Sequence, residues 1–376
     1  MVPGAGPVKS LMLVSNDVVR DTRVLQEARS LVRGGVDVTI VGWDREGAHP
    51  AAELSLNGID VRLLRSTALM KIAPSMVLKS TLWWRSAYRL ASAVSFDLVH
   101  SHDLDTLQTG ARLKAKTGAP LLFDAHEIFA YMIEGDYPKA VVDYANRMEK
   151  RLLKQVDHVI TVNERLREHY AARTEKPVTV VMNCREEVAA KYTPPANDVF
   201  TVLYIGNLHR SRFILDLVEV VQGMKGVRLH IGGEKELAER TRGLCAKDAR
   251  TTFMGKVPND EVMRHTAAAD VVFCMFDPAN RNNQVGSPNK IFEAMAAGRP
   301  VIVTKGILSG DIVERERCGL AVDYSRAALR GALERLRDDR PLTEELGRNG
   351  LAAARREYNW GVQEKRLLAA VRSLER

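Results

Sequence analysis

Apolar runs of strand length alternate with amphipathic helical patterns along nearly all of the 376 residues. Strand–helix–strand repeats of this kind need crossovers that lay helices on both faces of a mostly parallel sheet. In the first half, strand patterns fall at 10–15, 36–43, 59–64, 97–102, 120–126, 158–162 and 178–182. The periodicity fails across 184–199, where Thr193-Pro194-Pro195-Ala196-Asn197-Asp198 reads as a stiff polar linker. Strand patterns resume at 200–205, 227–231, 251–254, 270–276, 300–304 and 319–322, and helical patterns at 342–357 and 360–374 close the chain. The expected organisation is two Rossmann-like α/β domains, 1–190 and 200–357, joined by a linker at 191–199 and followed by a last helix at 358–376. The length suffices for two separate cores.

In open parallel sheets ligands bind beyond the carboxyl ends of the strands, so residues that follow strand patterns are the candidates for a site. The most informative of these stretches is Val285-Gly286-Ser287-Pro288-Asn289-Lys290-Ile291-Phe292-Glu293-Ala294-Met295-Ala296-Ala297-Gly298. Ser287 suits an N-cap and Pro288 a first helical position, which would leave the backbone N–H groups and the positive dipole end of the helix facing a diphosphate. Ile291, Ala294, Met295 and Gly298 share an inward stripe, while Lys290 and Glu293, three apart, project together and suit phosphate and ribose respectively. An ordinary capped helix packed on a sheet fits the same residues.

His126 ends the strand pattern Pro120-Leu121-Leu122-Phe123-Asp124-Ala125-His126; it suits either a ligand contact or a structural hydrogen bond. After 200–205 comes Gly206-Asn207-Leu208-His209-Arg210-Ser211-Arg212, where Gly206 permits close approach of backbone to ligand and Arg210 and Arg212 suit diphosphate oxygens, or else water. Arg23 can meet an acceptor phosphate, or pair with Asp21 or a helix acid. Asp103-Leu104-Asp105 has the Asp-x-Asp form of a metal motif, but it is more simply a pair of acids at a helix start, so no metal is assigned.

The net charge of +8 favours polyanionic partners. Its arginines and lysines are dispersed without a nucleic-acid recognition motif, so diphosphate donors and anionic membrane are the expected partners, and nucleic acid is not. The four cysteines lack metal-ligand spacing, no apolar run reaches 18 residues, and the N-terminus lacks a secretory pattern. A cytoplasmic location is expected, with peripheral attachment to the inner membrane face through 70–91. There Trp83-Trp84, Lys79, Arg85 and Arg89 describe an interfacial helix, or equally a core helix with snorkelling arginines.

Taken together, these segments resemble the retaining glycosyltransferases of family 4 over nearly the whole chain. The resemblance implies the GT-B fold, two facing Rossmann-like domains with parallel sheets and a C-terminal helix that crosses back to the first domain near Tyr358-Asn359-Trp360. It implies transfer of a sugar from a nucleoside diphosphate sugar to a lipid-linked or saccharide acceptor in glycan, polysaccharide or glycolipid biosynthesis, with retention and with neither metal nor further cofactor. His126 would lie by the donor sugar in the cleft. Arg210 and Arg212 would stabilise the leaving group, and Gly206, Asn207, Ser287, Pro288, Asn289, Lys290 and Glu293 would bind the donor. Two departures stand out: Val285 occupies the first position of the family's two-glutamate motif, and Asn207 stands where an arginine is usual. A nucleotide-sugar-binding protein without transferase activity and a GT-B sugar epimerase are the competing readings. A dinucleotide oxidoreductase is disfavoured because no G-x-G-x-x-G follows a strand. The oligomeric state is not implied.

Overall fold

The computed structural model describes residues 7–49, 51–66 and 76–375, with the side chains of 76–80 outside the description. It divides into two compact units, 1–182 with 363–376 and 183–362.

The first unit is built on an eight-stranded sheet with strands β1 (Lys9–Leu13), β2 (Asp37–Asp44), β3 (Glu53–Leu56), β4 (Ile59–Arg65), β5 (Leu98–His102), β6 (Leu121–Ala125), β7 (His158–Thr161) and β8 (Val178–Val180). Their order is β3-β4-β2-β1-β5-β6-β7-β8. All pairs are parallel except β3 with β4. The seven strands expected from sequence are present with ends shifted by a residue or two. The short β3 was not expected, because Glu53-Leu54-Ser55-Leu56 is too brief to show a period; it pairs antiparallel through a tight Asn57-Gly58 turn in which both residues have positive φ.

Central strands are buried on both faces, and Leu11, Met12 and Leu13 have no exposed surface. Helix Thr22–Arg33 begins at Asp21, whose carboxylate accepts from the Val24 N–H at 3.1 Å. The C-terminal segment 363–376 belongs to this unit: Glu364 pairs with Arg33 at 2.7 Å, the Gln363 side chain accepts from Met182 N–H at 3.1 Å, and Ser373 Oγ lies 3.2 Å from His158 Nδ1. The expected return of the last helix is thus present.

The second unit carries a six-stranded, wholly parallel sheet: β9 (Phe200–Ile205), β10 (Val227–Gly232), β11 (Thr251–Gly255), β12 (Val271–Cys274), β13 (Val301–Thr304) and β14 (Gly319–Val322). The order is β11-β10-β9-β12-β13-β14, and all six expected strands are present. Phe200, Val202, Leu217, Val218, Leu229, Ile231 and Phe273 form the centre of its core.

In each sheet the direction of winding reverses once, between β1 and β5 and between β9 and β12. Such topological switch points open a crevice beyond the strand ends, where α/β folds hold ligands.

Among the described residues no helix is long and apolar enough to cross a membrane. Of the segment 70–91, residues 70–75 lie outside the description, as do the side chains of 76–80, Lys79 included. In the rest of helix Met76–Ala91, Trp83 and Ala87 are buried, Trp83 packs on Trp43 with ring centroids 6.0 Å apart, and Trp84 Nε1 donates to the Asp105 carbonyl. The tryptophan pair therefore serves the core of the first unit, while Arg85 and Arg89 are exposed.

Candidate functional site

In the second unit, site residues come from the loops after β9 and β12, the two strands that flank the switch point. Gly206 and Gly233 end β9 and β10 with φ of 150° each, a conformation that side-chain-bearing residues rarely adopt. A Cβ on Gly233 would overlap the Gly206 carbonyl, and one on Gly206 would overlap the Lys290 ammonium. The backbone conformation calls for glycine at both positions, and at Gly233 the Gly206 carbonyl leaves no room for a side chain in any case.

The two arginines after β9 diverge. Arg210 is exposed and committed to Glu236: its Nε lies 3.1 Å from Glu236 Oε1, and its backbone N–H donates to the same oxygen at 2.9 Å. These bonds hold the Glu236 carboxyl down to about 2. Arg212 instead stacks 3.6 Å over the Phe276 ring and donates from Nη1 to Asn283 Oδ1 at 3.0 Å. Asn283 is buried and anchored in turn by a 3.0 Å bond from its Nδ2 to the Asp277 carbonyl. Arg212 makes no ion pair among the described residues. Lys290 reaches back from its helix to lie 4.9 Å from the Tyr204 ring centroid, also without an ion pair among the described residues. Arg212 and Lys290 both act on the Tyr204 phenol and the Cys274 thiol, so the two charges share one neighbourhood at the ends of β9 and β12.

The helix that carries Lys290 and Glu293 runs Asn289–Ala297, one residue later than expected. Pro288 occupies the cap with extended backbone (φ −64°, ψ 136°), and no side chain caps the helix, so Ser287 does not act as its N-cap. Proline has no N–H, which fits it equally to a position just outside the first turn. Ile291, Ala294 and Met295 are buried, and Gly298 ends the helix with φ 67°, as expected. Glu293 is mostly buried; its Oε1 lies 2.6 Å from Arg185 Nη2, which also donates to Asn259 at 3.1 Å. The lone acid of the sequence thus has a cationic partner 108 residues away. Val285 closes the short helix Arg281–Val285 and is half-buried, Ser287 is half-buried, and Asn207 and Asn289 are exposed.

The first unit gathers a second polar cluster at the ends of β5 and β6. His126 follows β6, and both its ring nitrogens face carboxylates: Nδ1 lies 3.3 Å from Asp103 Oδ2 and Nε2 3.1 Å from Asp124 Oδ2. Burial alone would lower its pKa, but Asp103 and then Asp124 outweigh it and push the imidazole well above 6.5. Asp124 is fully buried and would be pushed up by burial, yet Arg23 first, then His126, holds it well below the ordinary carboxylate range. Arg23 forks onto it with Nη2 2.9 Å from Oδ1 and 3.0 Å from Oδ2, and donates from Nη1 to the Val181 carbonyl at 2.9 Å. Arg23 is therefore an interior helix-face residue and does not meet an acceptor phosphate. Of the alternatives read from sequence, the pairing with a helix acid is present, since Nη2 also lies 2.9 Å from Glu27 Oε1.

Glu27, His100, His102 and Asp124 each offer one potential ligand atom, all within 4.8 Å of one another. Arg23 Nη2 already lies 2.9 Å from both carboxylates, so the cation between them is a guanidinium. Burial drives Glu27 well above the usual carboxylate range, against the pull of Arg23, and drives His100 well below 6.5.

A raised histidine pKa in the folded state contributes stability that is fully present below the unfolded value of about 6.5 and is lost as pH rises through the folded value. The unfolding free energy of the parent minus that of His126→Gln should accordingly be level from about pH 5 to about 6.5 and shrink above it. Denaturant titrations between those limits and pH 9 check this; a difference independent of pH would show that the fold leaves the His126 pKa unshifted, and one that grows as pH rises through about 6.5 would show that the fold lowers it.

Residues 21–185 match the family described as Glycosyltransferase Family 4, and residues 199–339 that described as Glycosyl transferases group 1. The D-inositol 3-phosphate glycosyltransferase of Segniliparus rotundus is 26% identical over 313 residues, 73% of this chain, and the match spans 66% of that protein's length. Among solved structures, the sucrose-phosphate synthase of Thermosynechococcus elongatus superposes with a TM-score of 0.81 at 20% identity, covering 97% of this chain and 99% of the other. Anabaena HepE, solved in complex with UDP-glucose, gives 0.71 at 15% identity, covering 97% and 99%.

Proposed function

The chain is of the GT-B glycosyltransferase superfamily, and on that premise we propose that it transfers a sugar from a nucleoside diphosphate sugar to an acceptor hydroxyl with retention of anomeric configuration. The observation that carries this reading is the convergence of Arg212 and Lys290, neither ion-paired among the described residues, beside the Cβ-free backbone of Gly206 and Gly233. Two open cations at a switch point, with an uncapped helix start next to them, suit a diphosphate. Lys290 supplies the second cation, since Arg210 in the loop after β9 is taken up by Glu236.

In the reaction, the bond from the anomeric carbon to the diphosphate oxygen breaks while a bond to the acceptor oxygen forms on the same face. The acceptor's proton passes to the departing diphosphate, so no enzymic nucleophile is used. Arg212 and Lys290 stabilise the charge that develops on the diphosphate, which is the effect preorganised donors exert most strongly in the transition state. Glu293 accepts from the ribose hydroxyls through the oxygen not held by Arg185. Ser287, Pro288 and Asn289 line the approach to the helix start, and Asn207 the rim beyond Gly206. The acceptor is a lipid-linked or saccharide hydroxyl.

A thermal-shift screen with UDP, GDP, ADP, CDP and dTDP identifies the base, since a ligand of the native state raises stability by mass action. With the best nucleotide, Glu293→Gln and Glu293→Ala should each lose about 1 to 3 kcal/mol of affinity, the range of a bond to a charged group. Titration calorimetry on the folded variants checks it, and unchanged affinity in both would remove Glu293 from the nucleotide site.

A further inference from the structure

The crevice at the switch point of the first unit, between β1 and β5, contains an acid that sequence reasoning treated as a helix-start residue. Asp103 is the first residue beyond β5 and has φ 61°, a left-handed backbone that costs a side-chain-bearing residue energy and that recurs at functional sites. Its carboxylate holds itself in place by accepting from the His126 backbone N–H at 3.1 Å and from the His126 ring at 3.3 Å. Behind it the groups are progressively drier: side-chain exposure is 39% for Asp103, 18% for His126, 7% for Arg23 and nil for Asp124.

This gradient decides which member of the cluster meets a ligand. With Nδ1 and Nε2 of His126 both facing carboxylates, the imidazole has no N–H to offer outward, whereas Asp103 is solvated and accepts on two oxygens with several lone-pair sites. We infer that Asp103 is the ligand-contacting residue of the first unit, accepting hydrogen bonds from the hydroxyls of a polyhydroxylated ring, and that His126, Asp124 and Arg23 are positioning residues aligned behind it. The inference rests on the glycosyltransferase reading, which supplies such a ring in donor or acceptor.

The column works by alternating charge: Asp103, His126, Asp124 and Arg23, each in contact with the next, run negative, positive, negative, positive. Arg23 fixes Asp124 to the chain beyond β8 through Val181, Asp124 fixes the ring of His126, and the ring fixes Asp103. The other charged and titratable groups that bear on this column are Asp105, Glu27, His100 and His102. Asp105 is driven up to about 6 by burial and then by Asp103; the Ser15 hydroxyl donates to it. His102 Nδ1 lies 3.4 Å from Asp124 Oδ2, and burial keeps it below 6.5. Burial raises Asp103 less than His126 lowers it, so Asp103 stays ionised.

Glycine separates a ligand role from a merely structural one, because it tolerates the left-handed backbone and lacks the carboxylate. Asp103→Gly and Asp103→Asn are compared with the parent for unfolding midpoint, affinity for the best-binding nucleoside diphosphate, turnover of the corresponding nucleotide sugar, and the His126 titration followed by NMR. Turnover should fall about 30-fold or more in both, the scale of a lost charge-assisted bond. Nucleotide affinity should stay within about twofold in both, while the His126 titration moves to lower pH and the pH-dependent part of the unfolding free energy that it carries shrinks with it. Turnover within about twofold of the parent in either folded variant overturns the inference. Failure of the parent itself to bind any nucleoside diphosphate overturns instead the reading of function on which the inference stands.

Discussion

Lys290→Ala should lower kcat by about 100- to 1000-fold, the cost of removing one preorganised donor from a developing anion. The ammonium lies against Gly206 and Tyr204 with no carboxylate to neutralise it among the described residues, so its charge is available to the leaving diphosphate. Arg212→Ala should act in the same direction, because its guanidinium is oriented by Phe276 and Asn283 rather than by an acid. Arg210→Ala should leave kcat within about twofold, since its charge is taken up by Glu236 in solvent, where ion pairs contribute little. Steady-state kinetics with the preferred donor separates the three: interactions made only in the transition state appear in kcat, whereas ground-state binding appears in KM. If Arg210→Ala is the damaging substitution and Lys290→Ala is silent, the leaving group is held by the other side of the loop after β9.

Arg23→Met should destabilise the first unit by about 3 to 5 kcal/mol, because it leaves the buried Asp124 carboxylate without its principal cation and with His126 alone to face it. Glu27→Gln, in the same cluster, should cost far less, since burial drives the Glu27 carboxyl well above the usual range and the amide keeps its shape. Three of the four tryptophans, Trp43, Trp83 and Trp84, lie in the first unit, so denaturant unfolding followed by tryptophan fluorescence reports mainly on it. Equal effects of the two substitutions would mean that Glu27 is charged in the fold and shares Arg23 on the same terms as Asp124.

The architecture was legible because strands of a mostly parallel sheet are written as short, largely apolar segments between helical patterns, and thirteen of the fourteen strands described in the two sheets fall on such segments. The exception, β3, is a four-residue edge strand. Within the candidate site, position was legible where it is set locally: Gly206 follows from a strand end, and Lys290 and Glu293 from helical spacing. Long-range pairing was not. Nothing near Glu293 in the chain announces Arg185, and nothing near Arg23 announces Asp124, 101 residues on. Asn283 is a subtler case. The side chain of Asn280 caps the helix on which Asn283 sits, a local signal, but its use as the anchor of Arg212 depends on β9 and β12 being neighbours. The helix start at Asn289 rather than Pro288 shows the limit of capping rules when proline and serine adjoin, since either register leaves no donor stranded.

Release of nucleoside diphosphate from a panel of UDP-, GDP-, ADP-, CDP- and dTDP-sugars, measured for the parent and for Lys290→Ala in parallel, tests the central claim most directly. The account predicts protein-dependent release from at least one donor, faster with an acceptor hydroxyl present, and a loss of about 100-fold or more in Lys290→Ala while Arg210→Ala retains it. Absence of release from every donor, or release that Lys290→Ala leaves unchanged, would contradict it.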